Sequence, residues 1–120
     1  MTQTVGSITN HIANLLGLTN ITNSNIYMGD TNVAHMQTSH PADYAKYNSE
    51  IPNILSNPDY VGLNPSDGSI EYVKEFVIDN EFVKVAVRVS TSGRYYARSL
   101  YVLNNNRVNN FIKAGTLKKV

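Results

Sequence analysis

The sequence contains no cysteine and no tryptophan, and charged residues make up only 16% of it. Without cysteine there is no thiol nucleophile, no disulfide and no thiolate metal site, a usage that fits a reducing compartment. Charge of either sign is scarce and nearly balanced, at a formal +1. That balance argues against a duplex-DNA binder held by counterion release, while leaving room for a local basic face that binds a phosphate. No stretch approaches the roughly 20 apolar residues that span a bilayer, so no membrane partner is expected. Nor does the N-terminus show a basic region followed by an apolar run, so the expected location is the cytoplasm.

What is present is a 42% hydrophobic fraction over 120 residues, enough for one domain with a real core. Solubility comes from Asn, Ser and Thr more than from charge. The most regular stretch is Phe82 to Leu103, where Val83, Val85, Val87 and Val89 alternate with Lys84, Ala86, Arg88 and Ser90. Period-two alternation of β-branched residues predicts a strand with one buried face. Thr91-Ser92-Gly93 then forms a three-residue hairpin loop with glycine at the left-handed position. With Ser90 opposite Arg94, Val89 pairs with Tyr95, Val87 with Ala97, Val85 with Ser99 and Val83 with Tyr101. The other face then carries Lys84, Arg88, Arg94, Arg98, Ser90 and Tyr96. A slip of one residue puts Ser99 and Tyr101 beside Arg88 instead.

Towards the N-terminus, Ile8, Ile12, Leu15 and Leu16 recur at helical spacing, with Ser7 or Thr9 as N-cap and Gly17 as stop. A Thr/Asn-rich connector over 18–25 leads to a short strand at Ile26-Tyr27-Met28. Short helices carrying Val33 and Met36, then Tyr44 and Tyr47 after Pro41, then Ile51, Ile54 and Leu55 around Pro52, follow in turn. Residues 57–69 hold two Asn-Pro pairs and Asp67-Gly68, and read as a loop. Ser69 to Ile78 is the next strand, with Asp79-Asn80 as a two-residue turn that sets Glu75 against Lys84 and Glu71 against Arg88. Lys74 falls on the valine face, either snorkelling from an edge or held near a site. Asn104 caps a last helix bearing Val108, Phe111 and Ile112, closed by Gly115, and 116–120 is a short basic end able to add an edge strand. The expected architecture is α+β: N-terminal helices packed on a roughly four-stranded antiparallel sheet, with a C-terminal helix.

Of the three histidines, His35 and His40 stand about 140° apart around an ideal helix, so they do not form the metal-binding pair that shares one face. No metal or other cofactor is expected. His40 lies where a helix breaks before Pro41, and histidine is the side-chain type suited to proton transfer near neutrality. Histidine with a basic strand face is the inventory of a metal-independent ribonuclease, which needs a base for the ribose 2′-hydroxyl, an acid for the leaving oxygen and cations for the phosphate.

The segments His35 to Pro41, Ile51-Pro52-Asn53-Ile54, Asn57-Pro58-Asp59-Tyr60-Val61-Gly62, Ser69-Ile70-Glu71-Tyr72-Val73-Lys74, Val85-Ala86-Val87-Arg88 and Ala97-Arg98-Ser99-Leu100-Tyr101, in that order, resemble the phage-borne nuclease-like domains grouped with barnase, EndoU, the tRNA-cutting colicins and RelE. The resemblance covers 26–120, with 1–25 as an N-terminal helix and connector. It implies cleavage of RNA, tRNA among the candidates, by 2′-hydroxyl transesterification. His40 would be the acid or base, Lys74, Arg88 and Arg98 the phosphate binders, and Ser99 or Tyr101 a positioning group or proton donor. His35, Tyr60, Lys84, Arg94 and Tyr96 would contact substrate. Two candidate histidines exist, and Glu71 and Glu75 dilute the positive field. The alternative is a catalytically inactive nuclease fold that binds a host protein or nucleic acid as an anti-defence inhibitor. The expected partners are therefore RNA and an immunity or host defence protein.

Overall fold

A computed structural model describes residues 1–19 and 21–120; Asn20, within the expected connector 18–25, lies outside the described residues. The elements run β1 (Gln3–Ser7), α1 (Asn10–Leu16), β2 (Asn25–Met28), α2 (Asp30–Ser39), α3 (Pro41–Tyr47), a 3₁₀ turn (Asn48–Glu50), α4 (Ile51–Ser56), β3 (Tyr60–Leu63), β4 (Ile70–Phe76), β5 (Glu81–Val89), β6 (Tyr95–Leu103), α5 (Asn105–Ala114) and β7 (Leu117–Lys119). No helix of the described chain is long and apolar enough to cross a membrane.

The α+β class stands, but the four-stranded antiparallel sheet does not. All seven strands form one mixed sheet in the order β1-β2-β6-β5-β4-β3-β7, with β2 parallel to β6 and the other pairs antiparallel. Helices are interspersed between strands rather than gathered ahead of them. The difference arises where periodicity is too short to read. β1 is five residues with a register shift, and β3 is four residues inside the Pro/Gly-rich 57–69 segment. Gly62 lets β3 lie against the chain entering β7, because a Cβ there would sit 2.2 Å from the Thr116 carbonyl oxygen.

Helix α4 packs against β1, at one end of the strand order, and against β4 and β5 further along it. The inner face of the sheet supplies Ile70, Tyr72, Val83, Val85, Val87, Ala97 and Leu100 to a core with Ile12 of α1, Met36 of α2, Tyr47 of α3 and Ile54 and Leu55 of α4. On the outer face, α5 covers only one end. Val108 packs with Val73, Leu103 and Leu117, ringed by Tyr60, Phe82, Tyr101, Phe111 and Ile112. The Asn104 side chain caps α5 by accepting from the Asn106 and Arg107 N–H groups, a contribution of about 1 kcal/mol.

Two hairpin expectations need correction. The β5–β6 loop forms as read, with Gly93 at φ 87° and the Ser90 N–H donating to the Arg94 carbonyl. Val89 faces Tyr95 and Val87 faces Ala97, but then a bulge inserts Arg98, and Ala86 faces Ser99, Val85 faces Leu100 and Lys84 faces Tyr101. The expected pairs Val85–Ser99 and Val83–Tyr101 are therefore absent, and Ser99 and Tyr101 move to the outer, basic face. The physical reason is the core: Leu100 and Val102 take the inner positions that a regular ladder would have given to two hydroxyl-bearing side chains. Between β4 and β5 the turn spans Val77 to Asn80 rather than two residues. The register moves by two, so Glu71 meets Lys84, not Arg88, and Glu75 faces Phe82.

Candidate active site

The bulge at Arg98 organises the outer face of the sheet. An extra residue in one strand of an antiparallel pair leaves two neighbours against one partner and re-aims a side chain. Here Arg98 and Ser99, adjacent in sequence, both line a hollow of about 270 Å³ with Arg88, Ala86, His35, Asp67 and Ser69. Arg88 and Arg98 are exposed, and among the described residues neither is in an ion pair. Their charge is free for an anion. One carboxylate shares the hollow: Asp67, held below the usual carboxylate range first by the Ser69 backbone N–H it accepts at 2.9 Å, then by the Ser69 side chain.

The histidines reach this face from beyond the edge of β6, where β2 pairs with only Tyr95 and Tyr96 and leaves the rest of the strand to α2 and α3. Asp43 of α3 accepts the Val102 backbone N–H at 3.0 Å, pinning the helix to the edge of β6 that β2 leaves open. His40, at the junction of α2 and α3, stacks on Tyr101 with ring centroids 4.8 Å apart and planes 26° apart. His35, one and a half turns earlier on α2, points into the hollow beside Ser99. The two imidazoles thus stand along one stretch of β6, next to residues two apart on the same face.

Beneath Tyr101 lies an ion pair. Lys84 Nζ is 2.6 Å from Glu71 Oε2 and 4.6 Å from the Tyr101 ring centroid, and both charged residues are buried, at 9% and 8% exposed. Burial works to lower the lysine's pKa, but the Glu71 carboxylate and the Tyr101 phenol outweigh it and hold the ammonium above its ordinary value. Lys84 is therefore a support under Tyr101 rather than a free phosphate ligand.

Other expected site residues lie elsewhere. Lys74 is on the inner face, its ammonium donating to the Asn57 carbonyl at 2.9 Å. Tyr60 is packed in the apolar cluster under α5. Arg94 places its guanidinium 5.2 Å from the Tyr27 ring, and Tyr27 lies 6.0 Å from Tyr96. Tyr96, with Arg88 and Arg98, borders a second and larger hollow next to the first. Asp67, Ser69 and Tyr27 were missed in the sequence reading. Asp67-Gly68 belongs to the segment 57–69 that reads as a loop, and nothing in its spacing ties it to β5.

A family model described as "phage-Barnase-EndoU-ColicinE5/D-RelE like nuclease3" matches residues 3–110, which takes in every site residue above. No curated protein and no solved structure matches the chain.

Proposed function

The chain belongs to this family of phage nuclease-like domains, and from that membership we propose that it cleaves RNA by attack of a ribose 2′-hydroxyl on the adjoining phosphodiester. One observation carries the reading: next to a free pair of arginines, two histidines stand in succession along β6, one beside Ser99 and one on Tyr101. In-line attack places the entering 2′-oxygen and the leaving 5′-oxygen on opposite sides of phosphorus. Base and acid must therefore reach the phosphate from opposite sides; Ser99 and Tyr101, against which the two histidines lie, are about 7 Å apart along the strand. One histidine takes the 2′-hydroxyl proton as the O–P bond forms. The other gives its proton to the 5′-oxygen as that bond breaks, leaving a 2′,3′-cyclic phosphate and a 5′-hydroxyl.

Arg88 and Arg98 stabilise the charge that builds on the non-bridging oxygens, where preorganised donors act most strongly. Ser99 orients the phosphate, and Tyr101 holds the His40 ring in place. The roles of Lys74 and Tyr60 drop out, because Lys74 lies on the inner face and Tyr60 is packed in the apolar cluster under α5.

The test is incubation of purified protein with total RNA in excess EDTA, with sequencing of fragment ends. Defined cuts ending in 2′,3′-cyclic phosphates are expected, with rate losses of about 10²–10⁴ for His35→Ala and for His40→Ala, the usual range for a proton-transfer group. Arg88→Ala loses activity while its circular dichroism stays native. Intact RNA from folded protein between pH 5 and 9 defeats the cleavage reading, and in that case the same face is a binding surface in a catalytically silent nuclease fold.

A further inference from the structure

The two hollows on the outer face share Arg88 and Arg98 as a common wall. The larger, about 450 Å³, lies within the roughly 300–1,000 Å³ range of small-ligand pockets. Its lining changes character from end to end. Guanidinium groups and the Tyr96 ring stand on the β5–β6 side. The start of α2 closes the other side with Thr31 and with Asp30, whose carboxylate is engaged by the Met1 amino group. Tyr96 is half-buried and backed by Tyr27, tilted 45° to it. Tyr27 is itself held by the Asn23 side-chain amide, which donates to its hydroxyl at 3.1 Å and is the first cause of its lowered pKa, and by the Arg94 guanidinium over its ring. The ring that faces the hollow is thus fixed before any ligand arrives.

We propose that this larger hollow is a subsite for the nucleotide next to the scissile phosphate, with its base stacked on Tyr96 and its phosphate on Arg88 and Arg98. The substrate is then an unpaired strand, since a base in a duplex has no free face to lay on a tyrosine. The subsite's place next to the scissile phosphate rests on the cleavage reading; binding of an unpaired base does not.

The experiment uses a fluorescent 2′-O-methyl oligonucleotide, which lacks the attacking hydroxyl and cannot be cut. Its affinity is measured as a single strand and annealed to its complement. The single strand is expected to bind at least tenfold more tightly. Tyr96→Leu, which keeps bulk without an aromatic face, loses about tenfold, and Tyr96→Phe stays near wild type. Equal affinity for strand and duplex, an unaffected Tyr96→Leu, or no binding of either form overturns the subsite. Tyr96-dependent binding by a protein that leaves natural RNA intact sustains the subsite and sinks the cleavage reading. Normal cutting by Tyr96→Leu does the reverse.

Discussion

Replacing Lys84 by methionine keeps the length of the stem and removes its ammonium, leaving the Glu71 carboxylate at 8% exposure without the partner that sits 2.6 Å from it. Breaking a buried pair from one side costs about 3–5 kcal/mol, most of it the penalty of an uncompensated charge. This pair lies just under the groove rather than at the centre of the core, so the lower end applies, about 3 kcal/mol. For a domain of this size that is a fall of about 10 °C in Tm, a large share of a total stability of about 5–15 kcal/mol. Replacing both members, as Glu71→Leu with Lys84→Met, removes the stranded charge and returns the domain to within about 1 kcal/mol of wild type. Urea denaturation of the four proteins in this cycle measures the coupling, expected at about 2 kcal/mol or more. The lysine's pKa is raised in the fold, so its contribution is fully present below the unfolded value, about 10.4. It is lost only as pH rises through the higher folded value, and the coupling is therefore flat from neutral pH to about pH 10. Single variants that cost under about 1 kcal/mol, or that simply add in the double variant, would falsify the assignment of Lys84 as a buried support.

Deleting Arg98 joins Ala97 to Ser99, whose partners Val87 and Ala86 are already adjacent; the hairpin is expected to stay folded with a regular ladder, while RNA cleavage or binding is lost, as circular dichroism and the end-sequencing assay will show. Gly62→Ala drives a Cβ into the Thr116 carbonyl oxygen, and because Gly62 is held in register with Leu117, the next residue, the expected loss is about 3 kcal/mol, read by urea denaturation. The Glu81 carboxylate is held below its ordinary range first by Lys46 Nζ at 2.7 Å and then by the Tyr47 hydroxyl at 2.6 Å. Its contribution is present above the unfolded pKa and lost as pH falls through the depressed folded value, so the Tm gap between wild type and Glu81→Gln is full at about pH 6 and closes in acid.

Local signals in the sequence were strong wherever a single element decides its own boundaries. Thr9 and Gly17 bracket α1, Asn104 and Gly115 bracket α5, and Gly93 sets the β5–β6 loop. The alternation of β5 correctly divided an apolar face from a basic one. What failed were features set by distant partners. β2 is parallel to β6 across some 70 residues of chain, and nothing in Ile26-Tyr27-Met28 names that partner. β3 looks like loop because its glycine answers to the Thr116 carbonyl rather than to its own neighbours. Among the candidate site residues, the alternation of the hairpin set Arg88 and Arg98 outward as the structure has them, whereas it placed Ser99 and Tyr101 on the valine face, and these two, with His35 and His40, were assigned their roles by the family resemblance. Lys84 and Lys74 could not be sorted, because their roles depend on Glu71 and on the Asn57 carbonyl, which reach them through a four-residue turn and a loop.

The bulge was nonetheless written in the chain. Along β6 the inward apolar positions are Ala97, Leu100 and Val102, spaced three apart and then two. A strand that buries one face keeps a spacing of two, so a step of three marks an inserted residue. Read in phase from Ala97, the regular ladder would bury Ser99 and Tyr101 and expose Leu100; read in phase from Leu100, it buries Leu100 and Val102 but turns Ala97 outward. Neither continuous register satisfies both ends of the strand, and the one-residue discontinuity does. The residue placed at that discontinuity is an arginine, on the face where the fold has no need of it and where it shares a hollow with Arg88, Ser99 and His35. Core packing explains why the strand must break its period. It does not explain why the surplus residue is a cation among other cations; the phosphate that the proposed cleavage brings to the groove would.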